Sequence, residues 1–109
     1  MRFRTIAEIE AANRAYAAAH GQESFFAPGS LRFLGTQVHS TIYGGRLFIT
    51  SEHYVATEHA NAQGSHDGPR RFSIRICDVD GFILTVGEFR GYATFEAAER
   101  AAQWLADED

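Results

Sequence analysis

Two glycine-centred turns, each set between runs of alternating side chains, constrain this chain more than any other feature. Thr36 to Tyr43 alternates, Gly44-Gly45 supplies a two-residue turn, and Arg46 to Ser51 returns. Arg71 to Val79 alternates in the same way, Asp80-Gly81 turns, and Phe82 to Phe89 returns. Alternation marks a strand with one face toward a core, and Gly-Gly or Asp-Gly supplies the positive φ that a tight turn demands. The pattern predicts two β-hairpins.

Helical signals bracket the hairpins. Thr5-Ile6-Ala7-Glu8 has the form of a capping box, in which the threonine oxygen accepts a backbone N–H and the glutamate reaches back. Ile6, Ile9, Asn13 and Tyr16 then recur at helical spacing, and Gly21 after His20 is a stop, so a helix is expected over 5–20. His20, in the last turn, suits the negative end of the helix dipole. Thr94 caps a second helix, with Phe95, Ala98, Ala102 and Leu105 as its apolar stripe, Trp104 beside it, and Glu96 and Arg100 paired on the wet side. The fold class is therefore α+β: a four-stranded antiparallel sheet with N- and C-terminal helices, order α-β-β-β-β-α, and both helices packed on one face. At 109 residues the chain, 1–109, is expected to be a single domain with one core. In residues 22–35, Pro28-Gly29 marks a turn, Ser30 is placed to cap a short helical turn, and Phe25, Phe26 and Phe33 are expected to plug the end of the core. Residues 52–70 read as a polar loop, with a short helix over Tyr54–Ala60 as one option.

A two-residue turn fixes register, and register assigns faces. Val38, Ser40 and Ile42 are expected to share a face with Leu47, Ile49 and Ser51, and Phe72, Ile74 and Ile76 with Ile83, Thr85 and Phe89. The opposite face then carries Tyr43, Arg46, Phe48, Arg71, Arg75, Phe82, Leu84 and Val86. If open to water, it is an apolar patch rimmed by arginine, of the kind found at interfaces. The alternative is that residues 22–35 or the polar loop fold over it. Those eight residues are the candidate partner-binding set.

Chemistry is sparse by comparison. The cluster His53, His59 and His66, with Glu52, Glu58 and Asp67, has metal-ligand residue types, but its spacing follows no zinc template and a solvated loop accounts for it. The lone cysteine, Cys77, reads as a packed thiol rather than a nucleophile, and its being alone excludes an internal disulfide. Asp78, Asp80 and Glu88 cluster near the second hairpin, where Asp80 is explained by the turn. No cofactor, metal or catalytic residue is expected. The net charge of −4 argues against loose binding to nucleic acid. All ten basic residues are arginine, which suits forked contacts with carboxylate or phosphate, although coding bias alone gives the same composition. An arginine and aromatic sheet face built from Tyr43, Phe48, Arg46, Arg71 and Arg75 is one way to hold a single strand of RNA or DNA by stacking. Direct nucleic-acid binding nonetheless ranks below a protein partner. There is no secretory or membrane-spanning apolar run, so the cytoplasm is the expected location.

Phe25-Phe26-Ala27-Pro28, Arg32-Phe33, the run Gly44 to Glu52, Arg71 to Arg75, Asp80-Gly81 and Thr85 to Phe89 resemble a family of small uncharacterised proteins from phages, plasmids and bacterial genomes. The resemblance spans most of the chain and brings no catalytic motif, so no site residue comes with it. It implies an accessory protein of a mobile element. By analogy with proteins of that size and setting, it implies a non-enzymatic binder of a host protein or nucleoprotein, such as an inhibitor of a defence system of the CRISPR kind. Homodimerisation through the same sheet face or a strand edge is the further partner expectation.

Overall fold

A computed structural model describes residues 2–53 and 70–108. The elements are α1 (Ile6–Ala19), α2 (Pro28–Phe33), β1 (Gln37–Tyr43), β2 (Leu47–His53), β3 (Arg70–Cys77), β4 (Ile83–Val86) and α3 (Phe95–Glu108). The four strands form one antiparallel sheet in the order β1-β2-β3-β4, so β1 and β4 are its edges. The fold class is as expected: α+β, with a terminal helix at each end of a sheet meander. The option of a helix over Tyr54–Ala60 lies outside the described residues.

Local chemistry explains the helix ends. Thr5 Oγ1 accepts the Glu8 N–H at 3.2 Å, and Glu8 Oε1 accepts the Arg4 N–H at 2.7 Å, so the glutamate reaches back one residue beyond the cap. Thr94 Oγ1 accepts the Ala97 N–H at 3.1 Å and starts α3. At α2 the first turn begins with Pro28, and Ala27 is the cap. Ser30 does not cap it; its hydroxyl donates to Glu23 Oε1 instead. Phe25 and Phe26 pack into the core, whereas Phe33 is 77% exposed and plugs nothing.

The two long helices lie on opposite faces of the sheet, not on one. Ala98 and Ala102 of α3 pack with Tyr43, Leu47, Ile49 and Ile74. Ile9 of α1 packs with Phe3, Phe26, Phe48 and Cys77. The reason lies in β2, which is buried at every position from Leu47 to Glu52. A central strand with apolar residues on both sides needs cover on both sides, and one helix layer cannot supply it.

The assignment of faces also differs, by one residue in each hairpin. Tyr43 pairs with Leu47, leaving Gly44, Gly45 and Arg46 as a three-residue loop. Cys77 pairs with Ile83, and the Asp78 N–H donates to the Phe82 carbonyl at 3.0 Å, leaving Val79, Asp80 and Gly81 in the second loop. Such loops carry a glycine at positive φ after a turn; Gly81 has φ +101°. Asp78 holds the turn by accepting the N–H groups of Asp80 and Phe82 on Oδ1. The extra residue shifts the alternation, so Ile74 faces the same way as Val86, and Arg75 the same way as Thr85. In β1, Val38 and Ile42 stand opposite Thr50 and Phe48 across a further irregularity, and both lie on the side of Phe48.

Gly81 is also where α1 meets the sheet. The Asn13 side chain donates to the Gly81 carbonyl at 2.8 Å, while its Oδ1 accepts from Ser24 and from the Phe25 N–H. A Cβ on Gly81 would lie 2.3 Å from the Ala12 carbonyl oxygen. Backbone strain and steric overlap therefore combine in Gly81→Ala, which is expected to cost about 3 kcal/mol or more in urea denaturation, while Gly87→Ala, at positive φ but with open space around it, costs the strain alone, about 1–2 kcal/mol.

Candidate functional site

On the face shared with α1, β2 and β3 place Phe48 opposite Arg75, Thr50 opposite Ser73, and Glu52 opposite Arg71. Glu52 is fully buried. A carboxylate is buried in this way only when its lone pairs are engaged and a cation faces it. Both conditions hold. Its Oε2 accepts from Thr50 Oγ1 at 2.7 Å and from Arg75 Nη2 at 2.9 Å, and its Oε1 accepts from Ser73 Oγ at 3.0 Å. Arg75 reaches Glu52 on the diagonal, and on the way its Nε donates to Thr50 Oγ1 at 3.0 Å and its Nη1 to Thr85 Oγ1 at 2.7 Å. Two aromatic rings bracket the guanidinium: Phe25 from the segment before α2 and Phe89 from the segment after β4, each with its centroid 5.2 Å away. Residues 87–91 are an excursion between the β4 ladder and the bridge from Tyr92 to Phe72. The Arg90 N–H donates to Ser73 Oγ at 2.8 Å and its carbonyl accepts from Arg71 Nε at 2.7 Å, which pins that excursion over the network.

This network uses a pairing that sequence reasoning missed. Glu52 was expected in the polar loop as a ligand type, yet it lies inside β2, which runs to His53. The legible signal was there: Phe48, Thr50 and Glu52 alternate, and a strand bearing Arg71, Ser73 and Arg75 follows. His53 instead sits at the end of β2 with Nε2 2.9 Å from Arg70 Nη2. His59, His66, Glu58 and Asp67 lie outside the described residues. Among the described residues no three His, Cys, Asp or Glu side chains group to hold a metal. Cys77 is buried among Phe3, Ile9, Phe26 and Phe48. Burial first, and Asp78 second, push its thiol up to about 11, so little thiolate exists at neutral pH.

The eight residues expected on one face do not lie together. Phe48 is fully buried under α1, with Arg75 beside it and Arg71 turned to the Arg90 carbonyl. Tyr43 is buried under α3 and donates to Glu99 Oε2 at 2.6 Å; burial and that carboxylate both raise its pKa. Val86 is half-buried against the same core. Arg46 belongs to the β1–β2 loop, where its carbonyl accepts the Cys77 N–H at 3.0 Å. Only Phe82 and Leu84 are exposed. Residues 22–35 do fold over the arginine-bearing face, together with α1, so Tyr43 and Phe48 offer no ring for a base to stack on.

Exposed apolar side chains gather elsewhere, along the β4 edge. Val79, Phe82, Leu84 and Phe89 fall in or next to β4, and Leu84 is 47% exposed on the α3 side. Trp104, 63% exposed, projects from α3 away from the Ala98–Ala102 stripe, and Glu99, Gln103 and Ala106 form a second flank. That second flank faces β1, through the Tyr43–Glu99 bond and a groove that Gln103 and Ala106 share with Ile42 and Tyr43.

A model of a family of unknown function, DUF7447, matches residues 5–103. The chain belongs to that family. The match of this DUF7447 chain takes in α1, the whole sheet and most of α3, so it covers the folded unit described above. No curated protein matches the chain, and no solved structure does.

Two outcomes follow for the DUF7447 fold. Glu52→Ala strands Arg75 in the interior and is expected to cost about 3–5 kcal/mol, whereas Glu52→Leu combined with Arg75→Met recovers most of that loss, in a double-mutant cycle followed by urea denaturation. His39 packs between Phe72 and Phe95, and burial, then Arg70, lower its pKa below 6.5. A depressed histidine leaves the unfolded chain binding more protons just below pH 6.5, so its contribution is complete above that value and is lost as pH falls through the folded-state pKa. Between about pH 7 and about pH 5 the wild type should lose more stability than His39→Phe.

Proposed function

We propose that this domain is a non-enzymatic binding module that docks a macromolecular partner along its β4 edge. The observation that carries the reading is the concentration of exposed Val79, Phe82, Leu84 and Phe89 on the outermost strand and its flanking segments, with Trp104 exposed on the neighbouring α3. Isolated exposed apolar residues are ordinary; several around an unpaired strand edge form the apolar, aromatic-rich centre that interfaces use. An edge strand adds main-chain hydrogen bonds to whatever docks there.

The resemblance to accessory proteins of phages and plasmids supports a setting in which the partner is a host protein or nucleoprotein, with inhibition of a defence system as the role. A net charge of −4 and the acidic side chains Glu8, Glu10, Glu96, Glu99, Asp107 and Glu108 on the long helices favour a protein over bare nucleic acid. A second copy of the chain is also a fitting occupant, because Ile83–Val86 carries no charge to oppose self-pairing. No helix among the described residues is long and apolar enough to cross a membrane.

Affinity capture from a host lysate with wild type and with Leu84→Asp/Trp104→Asp tests the reading, alongside light scattering of both. Both substitutions replace exposed side chains, so the variant should keep its circular dichroism spectrum, as Phe48→Asp in the core would not. A macromolecule or second copy held by wild type and released by at least tenfold in the variant is the expected result. Identical partners and identical mass for the two proteins would remove the β4 edge from consideration.

A further inference from the structure

A cleft of about 180 Å³ opens between the C-terminal half of α1, the segment before α2 and the start of β4. That is below the roughly 300–1,000 Å³ of sites that hold cofactors or drug-sized molecules, and suits the head group of one side chain. Three aromatic rings line it: Tyr16, Phe25 and Phe82. Tyr16 and Phe82 are 5.3 Å apart between centroids and tilted by 38°. His20 stacks on one face of Tyr16 at 4.0 Å.

The polar lining is acidic or neutral. Glu23 lines the cleft, and its Oε1 is held by the Ser30 hydroxyl at 2.7 Å. Among the described residues Glu23 Oε2 accepts no hydrogen bond, so one carboxylate oxygen is positioned and available. Gln22 adds an amide oxygen, and no basic side chain lines the cleft among the described residues. The C-terminal half of α1, toward the negative pole of that helix, lines the cleft through Tyr16 and Ala17. Aromatic faces and an anchored carboxylate at a negative helix end attract a flat organic cation and repel an anion. The chain already satisfies one guanidinium in this manner, with Arg75 between two phenylalanine rings and a carboxylate.

We propose that this cleft binds a guanidinium group, presented as an arginine side chain by a partner protein. Tyr16 and Phe82 supply the rings over which the cation lies, and Glu23 the carboxylate that fixes its orientation. The inference goes beyond docking along the β4 edge and does not depend on it.

Titration of the full-length, isotope-labelled protein with N-acetylarginine amide, followed by the NMR signals of the Tyr16 and Phe82 rings and the Gln22 amide, tests the site. These signals should move together and saturate at millimolar concentrations, and N-acetylcitrulline amide, the neutral isostere, should leave them in place. Tyr16→Leu and Glu23→Gln, each shown to be folded by circular dichroism, should each weaken binding about tenfold. Leu84→Asp/Trp104→Asp should bind the arginine derivative as wild type does, so this site and the β4 edge fail separately. An equal response to citrulline, or no response to arginine in the folded wild type, overturns the assignment. Tighter binding of free guanidinium ion than of N-acetylarginine amide would overturn the side-chain source.

Discussion

A buried carboxylate is the constraint on which much of this fold depends. Glu52 sits inside the sheet without solvent, and only a matching cation with fully engaged oxygens makes that tolerable. Arg75 meets the demand by crossing the ladder diagonally, and in doing so it reads the register: a slip of one residue between β2 and β3 would send it to the opposite face. Thr50, Ser73 and Thr85 extend the same contacts to three strands, so each strand is tied to its neighbours by side chains as well as by backbone. A network satisfied at every position selects one arrangement sharply, because any alternative leaves a charge stranded.

The irregular segments are drawn to the same place. Phe25 comes from the stretch before α2 and Phe89 from the excursion after β4, and both rest on one guanidinium. Neither segment has a ladder of its own. Their positions follow from the cation, from Asn13, which holds Ser24 and Phe25, and from Ser73, which holds Arg90.

The elements were legible in the sequence, and the faces were not. Thr5, Thr94, the stripes of α1 and α3, and the glycine turns all act through neighbours in the chain, and local rules describe them. Whether Asp80-Gly81 closes a two-residue or a three-residue loop depends on the side chain of Asp78 and on the close approach of Ala12, many residues away. That one residue decides whether Leu84 or Thr85 looks toward α3. The same ambiguity placed Tyr43, Phe48 and Arg75 on a single face, when two of them are core residues under different helices. Trp104 was legible as the residue beside the stripe of α3, but the exposed edge of the sheet appears only when β4 is known to be outermost.

The contact between Asn13 and Gly81 closes a loop with a sequence separation of 68 residues. During synthesis α1 is made well before its seat exists. At about 5–20 residues per second the interval is roughly 3 to 14 s, far longer than a helix or a hairpin needs to form. Within that time β1 and β2 can pair and present Val38, Ile42 and Phe48 to Ile9, while the Asn13 contact still waits for Gly81. α1, rich in alanine and sparing in large apolar side chains, therefore takes its final seat only when the second hairpin arrives.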